Sequence, residues 1–350
     1  MNQHEIVQKT TLLRRDGSLA ECGWARHPYF AYRRDYVKGP LWLRLKEWDY
    51  YAILDEKAGF WCALTYSDLG YAGLFAVAYV DLTLGKAVQC DSIRLLSRHR
   101  SGLGTSSTDD GSSTYCDKDG KLTLTFIRRG DLRHIIFNAP DLVLPDGRRG
   151  LLGDFSLYQN REKESINIAS SWAEDRKAFY LNEKVVGMRA VDGFIRRGGH
   201  KSDLSQDGAL AILDWGRGRW TRENTWYWAS ATGVRDGKIL GLNLGYGFSD
   251  RSSATENAFF IDDRLVKLGQ VTFEYGSDLM KDWRMKDDEG RLDLVFTPCT
   301  PRTSRFNVLV ILSDQKQYFG TFSGTLIDDD GSPVHLDGLC GFAEIVHNKW

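Results

Sequence analysis

The sequence predicts an all-β protein of antiparallel sheets, and three observations carry that expectation. Apolar residues recur with period two, so alternate side chains share a face. Asp-Gly dipeptides separate many of the apolar runs, and Asp tolerates while Gly freely adopts the left-handed backbone of a hairpin turn. The 350-residue chain also carries 11 Trp and 35 Gly against 4 Met and 7 Pro, a usage that suits strands and turns better than a helical bundle.

The elements follow in order. GLFAVAYVDL (Gly73–Leu82), KLTLTFIR (Lys121–Arg128), RLDLVF (Arg291–Phe296) and NVLVIL (Asn307–Leu312) read as strands. Hairpin turns are expected at Asp16-Gly17, Asp119-Gly120, Asp146-Gly147, Asp192-Gly193, Asp236-Gly237 and Asp330-Gly331. Ser171 and Glu174 match a helix capping box. The stretch Ala178–Ala190 is nonetheless rich in β-branched and aromatic residues, so a turn followed by a strand is expected there. SGLGTSSTDDGSS (Ser101–Ser113) reads as a flexible hairpin tip or lid. Sheets of this length curl or close to hide their edges. A polar junction at 160–163 suggests two β domains, 1–165 and 166–350.

Several function classes are disfavoured. A net charge of -1 argues against an electrostatic nucleic-acid binder. No run approaches the roughly 18 apolar residues of a membrane helix, so no stable membrane insertion is expected. The N-terminus lacks the apolar core of a secretory signal, and the six cysteines show neither CxxC pairs nor zinc-like spacing. Reduced thiols, a cytoplasmic location and no bound metal are expected. With no phosphate loop or dinucleotide fingerprint, no cofactor is expected.

The densest chemistry lies between Leu213 and Phe260, where Arg217, Arg219 and Arg222 sit among Trp215, Trp220, Trp226 and Trp228. Guanidinium groups stack on aromatics while forking onto carboxylates, so this is either a ligand wall, where Arg217 or Arg219 grips an anionic or polar group, or a buried Asp-Arg pair stapling strands beneath tryptophans. Glu256, at the entrance to the apolar run AFFI, would be desolvated and suited to proton transfer, or simply bonded to the amides of the preceding turn. Asn243 and Tyr246 alternate onto different faces of one strand, and either can orient a substrate carbonyl or hydroxyl. Near the start, Lys46, Trp48 and Tyr50 share one strand face, and Glu47, Asp49 and Tyr51 the other, with Asp68 following. The candidate catalytic set is Glu256, Asp214, Arg217 and Tyr246. The candidate ligand contacts are Trp220, Trp226, Trp228, Asn243, Asn257, Tyr50 and Asp68.

WDYY, DLGYAG, NEKVVGMRA, LDWGRGRW, NTWYWAS, GLNLGYGFSD, ATENAFFID, FGTFSG and GFAEIVHNKW together resemble the bacterial and protist family DUF2804, over about Gly23 to Trp350. Thr221 departs from it, standing where a proline often follows the WGRGxW tryptophan. The wider similarity is to two-domain lipocalin-like proteins, including carotenoid hydratases and tocopherol cyclases. That resemblance implies two lipocalin-like antiparallel β-barrels or half-barrels packed side by side, taking a hydrophobic small molecule. The first expectation is therefore a cofactor-independent hydratase, cyclase or isomerase. In it Glu256 or Asp214 supplies protons and Arg217 holds developing negative charge. The alternatives are a carrier of hydrophobic ligands without chemistry, and a carbohydrate-binding or carbohydrate-processing protein, whose tryptophans would stack on sugars in an open groove.

Overall fold

The computed structural model describes residues 3–308 and 311–349. Two strongly curled antiparallel sheets account for nearly all of it. The first sheet runs, neighbour to neighbour, through Lys86–Leu95, Ala72–Asp81, Phe60–Asp68, Leu45–Asp55, Leu210–Arg219, Asp175–Arg197, Arg149–Tyr158, Leu132–Val143, Thr123–Arg129 and Gly111–Cys116. The second runs through Arg264–Lys267, Ala258–Ile261, Lys238–Tyr246, Glu223–Arg235, Pro333–Lys349, Ile311–Ile327, Leu292–Val308, Trp283–Asp287 and Val271–Glu274. In both, the two edge strands are consecutive in the chain, so each sheet bends until its edges approach.

Side chains close the first seam. Ser92 Oγ lies 2.6 Å from the Tyr115 hydroxyl, Lys121 Nζ donates to the Asp91 carbonyl at 2.7 Å, and Phe75 stacks on Tyr115 at 3.6 Å. Residues 96–110 cross between these edges, and their carbonyls are held from within. Arg34 donates to Leu103 O, Arg217 to Gly104 O and Arg133 to Ser107 O, at 2.8–2.9 Å. The polar segment expected to be a hairpin tip or lid is thus a cap over one end of the first sheet.

Three apolar cores result. Ile53, Phe60, Val77, Phe137, Phe155 and Leu213 fill the first sheet. Leu242, Leu244, Phe259, Trp283, Phe296 and Phe322 fill the second. Trp61, Ile212, Trp228, Phe260, Phe319 and Phe342 lie between the sheets.

The expected strands at 73–82, 121–128 and 291–296 lie within or overlap Ala72–Asp81, Thr123–Arg129 and Leu292–Val308, and the turn-then-strand reading at 171–190 matches Ile166–Trp172 followed by Asp175–Arg197. Two expectations need correction. Asn307–Leu312 is not one strand: Asn307 pairs with Leu312 and Val308 with Ile311, while 309–310 lie outside the described residues. Asp192-Gly193 is not a hairpin but lies within a 23-residue strand, next to a bulge at Val191, and Gly193 has φ of +89°. A Cβ on Gly193 would sit 2.2 Å from the Asp154 carbonyl oxygen, which is why glycine stands at that position.

The sheets divide the chain between Arg219 and Glu223, later than the 165/166 boundary expected from sequence. The polar junction at 160–163 joins two strands of the same sheet. Consequently the Trp-Arg-Gly segment is split: Leu210–Arg219 belongs to the first sheet and Glu223–Arg235 to the second.

Candidate functional site between the sheets

Strand register assembles the site. In the first sheet Lys184 pairs with Asp214, and Asp214 with Tyr50; the next row on that face is Asn182, Gly216 and Trp48. In the second sheet Gly245 pairs with Trp228, Trp228 with Glu344, Glu344 with Gln317 and Gln317 with Arg302. Directly opposed residues share a face, so each sheet offers a polar row to the other. The rows meet where Lys184 Nζ lies 4.3 Å from the Trp228 ring and Tyr50 packs edge-on against the same indole at 5.8 Å.

Lys184 is buried and needs partners. It lies 3.2 Å from Asp214 Oδ1 and 3.6 Å from Glu256 Oε2. Asn182 Nδ2 donates to Asp214 Oδ1 at 2.5 Å, and the Tyr180 hydroxyl donates to Glu256 Oε2 at 3.2 Å. Burial, followed by the charge of Glu256, pushes the Tyr180 phenol well above its ordinary range.

The chain entering Ala258–Ile261 places Glu256, and two amides fix it. Asn243 Nδ2 donates to the Glu256 carbonyl at 2.8 Å while its Oδ1 accepts from Trp228 Nε1 at 2.7 Å. Asn257 Oδ1 accepts from Gly245 N at 2.7 Å and its Nδ2 donates to Gly269 O at 2.8 Å. The Glu256 carboxylate fills the space above Gly245, where a Cβ would stand 2.0 Å from Oε1.

Glu344 supplies the group best suited to proton exchange near neutrality. Burial raises its carboxyl to about 7; the bond from Trp226 and the positive charges of Arg302 and Lys184 oppose the rise, and Asp214 adds to it. Trp226 Nε1 donates to Oε1 and Gln317 Nε2 to Oε2, each at 3.0 Å. Around this polar centre stand Trp48, Trp172, Tyr180, Trp220, Trp226 and Phe248. Trp220 stacks on Phe248 at 5.0 Å and meets Trp226 edge-on at 5.6 Å. Trp48, Trp226 and Phe248 remain partly accessible.

Of the residues singled out from sequence, Glu256, Asp214, Trp220, Trp226, Trp228, Asn243, Asn257 and Tyr50 are brought to this region. Arg217, Tyr246 and Asp68 are not. Arg217 is three residues from Asp214 on one strand and therefore faces inward, fully buried. It bonds Asp49 Oδ1 at 3.0 Å and lies 4.1 Å from the Trp215 ring, a staple within the first sheet. Tyr246 points into the second sheet, stacked on Tyr227 at 4.6 Å, and its hydroxyl accepts from Phe273 N at 3.3 Å. Asp68 binds the crossing segment, accepting from Gly70 N, Ser97 Oγ, His99 N and Ser101 N.

Sequence reasoning missed Lys184, Tyr180, Asn182, Glu344 and Gln317. The first three were findable, because Tyr180, Asn182 and Lys184 alternate along one strand and so must share a face. Among the described residues no three His, Cys, Asp or Glu side chains are placed to hold a metal ion. Two surface clefts, of about 280 and 460 Å³, are lined by other residues, so the polar cluster rather than a concave surface singles out the site.

Comparison with known proteins follows the same architecture. Kievitone hydratase from Nectria haematococca superposes with a TM-score of 0.48 and 12% identity, covering 90% of this chain and 91% of its own. The protein CghA superposes with a TM-score of 0.51 and 10% identity, covering 87% and 88%. A putative AttH from Nitrosomonas europaea gives 0.44 and 16%, covering 88% and 93%. At such identities the likeness to CghA speaks for the fold alone. No curated protein sequence matches significantly. The profile of DUF2804, a domain of unknown function, matches residues 3–350. The chain belongs to the DUF2804 family.

Proposed function

We propose that the protein is a cofactor-independent enzyme of the hydratase, cyclase or isomerase type, acting on a hydrophobic small molecule between the two sheets. The observation that carries this is the Lys184 ammonium between Asp214 and Glu256, in the same polar layer as a Glu344 carboxyl raised to about 7. Such a carboxyl is half protonated near neutral pH and can donate, which suits general acid catalysis. Glu256, bridged to Tyr180, is the group to accept a proton. Lys184 takes the role first expected of Arg217, holding negative charge that develops on a substrate oxygen. The indoles of Trp48, Trp220 and Trp226 would receive the apolar part of the substrate.

The enclosed packing of these tryptophans favours a small hydrophobic ligand over an extended sugar, which an open groove would suit. The six unpaired cysteines support a reducing, cytoplasmic location. The test is to identify by mass spectrometry what co-purifies with the protein, then follow its conversion by the wild type, Glu344→Gln and Glu256→Gln. Turnover by the wild type that falls about 100-fold or more in both variants supports the proposal. A ligand bound equally by all three and never converted means a carrier.

A further inference from the structure

The interior face of the first sheet, opposite the proposed reaction site, contains a second polar cluster. Arg128 and Arg133 are directly opposed on neighbouring strands, and both side chains turn inward. They are buried at 8% and 4% exposure. Two guanidinium groups so placed repel each other and have lost most of their water, so the protein should supply carboxylates.

It does not. Neither guanidinium joins an ion pair within 4.0 Å among the described residues. Arg133 donates from Nε to Gln159 Oε1 at 2.7 Å, from one terminal nitrogen to the Tyr51 hydroxyl at 3.2 Å and from the other to the Ser107 carbonyl at 2.8 Å. Arg128 has one long bond, to the same Gln159 oxygen at 3.4 Å, and its buried Nε has no partner. Every acceptor is neutral. The nearby carboxylates stay beyond 4.0 Å of both guanidinium groups: Asp49 is bonded to Arg217, and Glu183 accepts from Ser165 Oγ at 2.8 Å through Oε1 while its buried Oε2 has no partner. Burial, followed by the charge of Arg133, depresses the Arg128 guanidinium to about 10, and the more distant Glu183 and Asp131 offset this only in part.

The geometry points to an oxyanion site at Arg128 and Arg133, beneath the 101–110 segment, which takes a small anion presenting two or more oxygens. The anion is either free inorganic phosphate or the carboxylate end of an organic molecule. A planar guanidinium fork matches two such oxygens, and the unused Arg128 Nε offers one of the donors. The Ser107 carbonyl now occupies one Arg133 donor and would be the group displaced. The site is independent of the chemistry proposed between the sheets.

Titration calorimetry and thermal unfolding of the full chain with inorganic phosphate, acetate and chloride at matched ionic strength test this. Phosphate, acetate or both should bind saturably below about 10 mM and raise Tm, whereas chloride should not. Phosphate binding tighter than acetate identifies a free-phosphate site; acetate binding at least as tight identifies a carboxylate site. Arg128→Gln should weaken binding about tenfold or more, and Glu344→Gln should leave it unchanged. Arg128→Lys, which keeps the charge and loses the fork, provides the same reading should the glutamine variant not fold. No saturable binding of either oxyanion to the wild type overturns the proposal, as does unaltered affinity in the Arg128 variants.

Discussion

Glu344→Gln isolates the titration that the proposed mechanism relies on. The ordinary glutamate value is 4.5, and burial among the second-sheet strands raises this carboxyl to about 7. A raised acid binds its proton more tightly in the folded state. The stability it contributes is therefore fully present below pH 4.5 and lost as pH rises through about 7. The rise from 4.5 to about 7, at 1.36 kcal/mol per pH unit, corresponds to about 3 kcal/mol, most of which disappears between pH 5 and 8. Glutamine is a permanently neutral stand-in whose oxygen can still accept from Trp226 Nε1. The variant should match the wild type near pH 4 and exceed it by about 3 kcal/mol near pH 8. Urea unfolding from pH 5 to 8.5 reads this as a difference between two curves. The raised His99 titration, also lost as pH rises, is common to both and cancels. Parallel curves, within about 0.5 kcal/mol across that range, would refute the reasoning and leave Glu344 an ordinary carboxylate.

Two further substitutions probe the same layer. Gly245→Ala drives a methyl into the Glu256 carboxylate, so it should cost about 2–4 kcal/mol by displacing Glu256 from Tyr180 and Lys184. In a Glu256→Ala background the cost should largely vanish, and a denaturant double-mutant cycle that shows no coupling would remove Glu256 from that position. Lys184→Met keeps the buried stem but leaves Asp214 and Glu256 facing each other without their shared cation, and should cost about 3–5 kcal/mol in urea unfolding. A loss under 1 kcal/mol would mean that neither carboxylate depends on Lys184.

Local pattern made most strands legible, because period-two alternation and Asp-Gly turns are short-range signals. The division between sheets was not legible, because Leu210–Arg219 and Glu223–Arg235 are adjacent in sequence and similar in composition. They are assigned to different sheets by pairing with Leu45–Asp55 and Pro333–Lys349, respectively. The same long-range pairing concealed Glu344, which meets Trp228 only across strands more than a hundred residues apart. Arg217 was misplaced for a simpler reason. Its separation of three from Asp214 already implies opposite faces of any regular strand. Asn243 and Tyr246 obey the same parity: Asn243 braces Glu256, whereas Tyr246 serves the second core.

That parity also explains the Trp-Gly-Arg-Gly-Arg-Trp motif as a two-sided instruction. Trp215 and Arg217 point into the first sheet, where the guanidinium holds Asp49 and the crossing segment. Gly216 and Gly218 point at the second sheet, where the indoles of Trp48 and the motif's own Trp220 occupy their places. A Cβ on Gly216 would stand 2.0 Å from the Trp48 ring, and one on Gly218 would stand 2.6 Å from Trp220 Nε1. The bare glycine face lets those two indoles lie against the strand, and both then wall the cluster of Tyr180, Lys184 and Asp214. The arginines thus close one side of the sheet while the glycines make room for aromatics on the other. Arg217 therefore helps to shape the inter-sheet site without placing its own charge there, whereas the neighbouring Asp214 contributes its carboxylate to it.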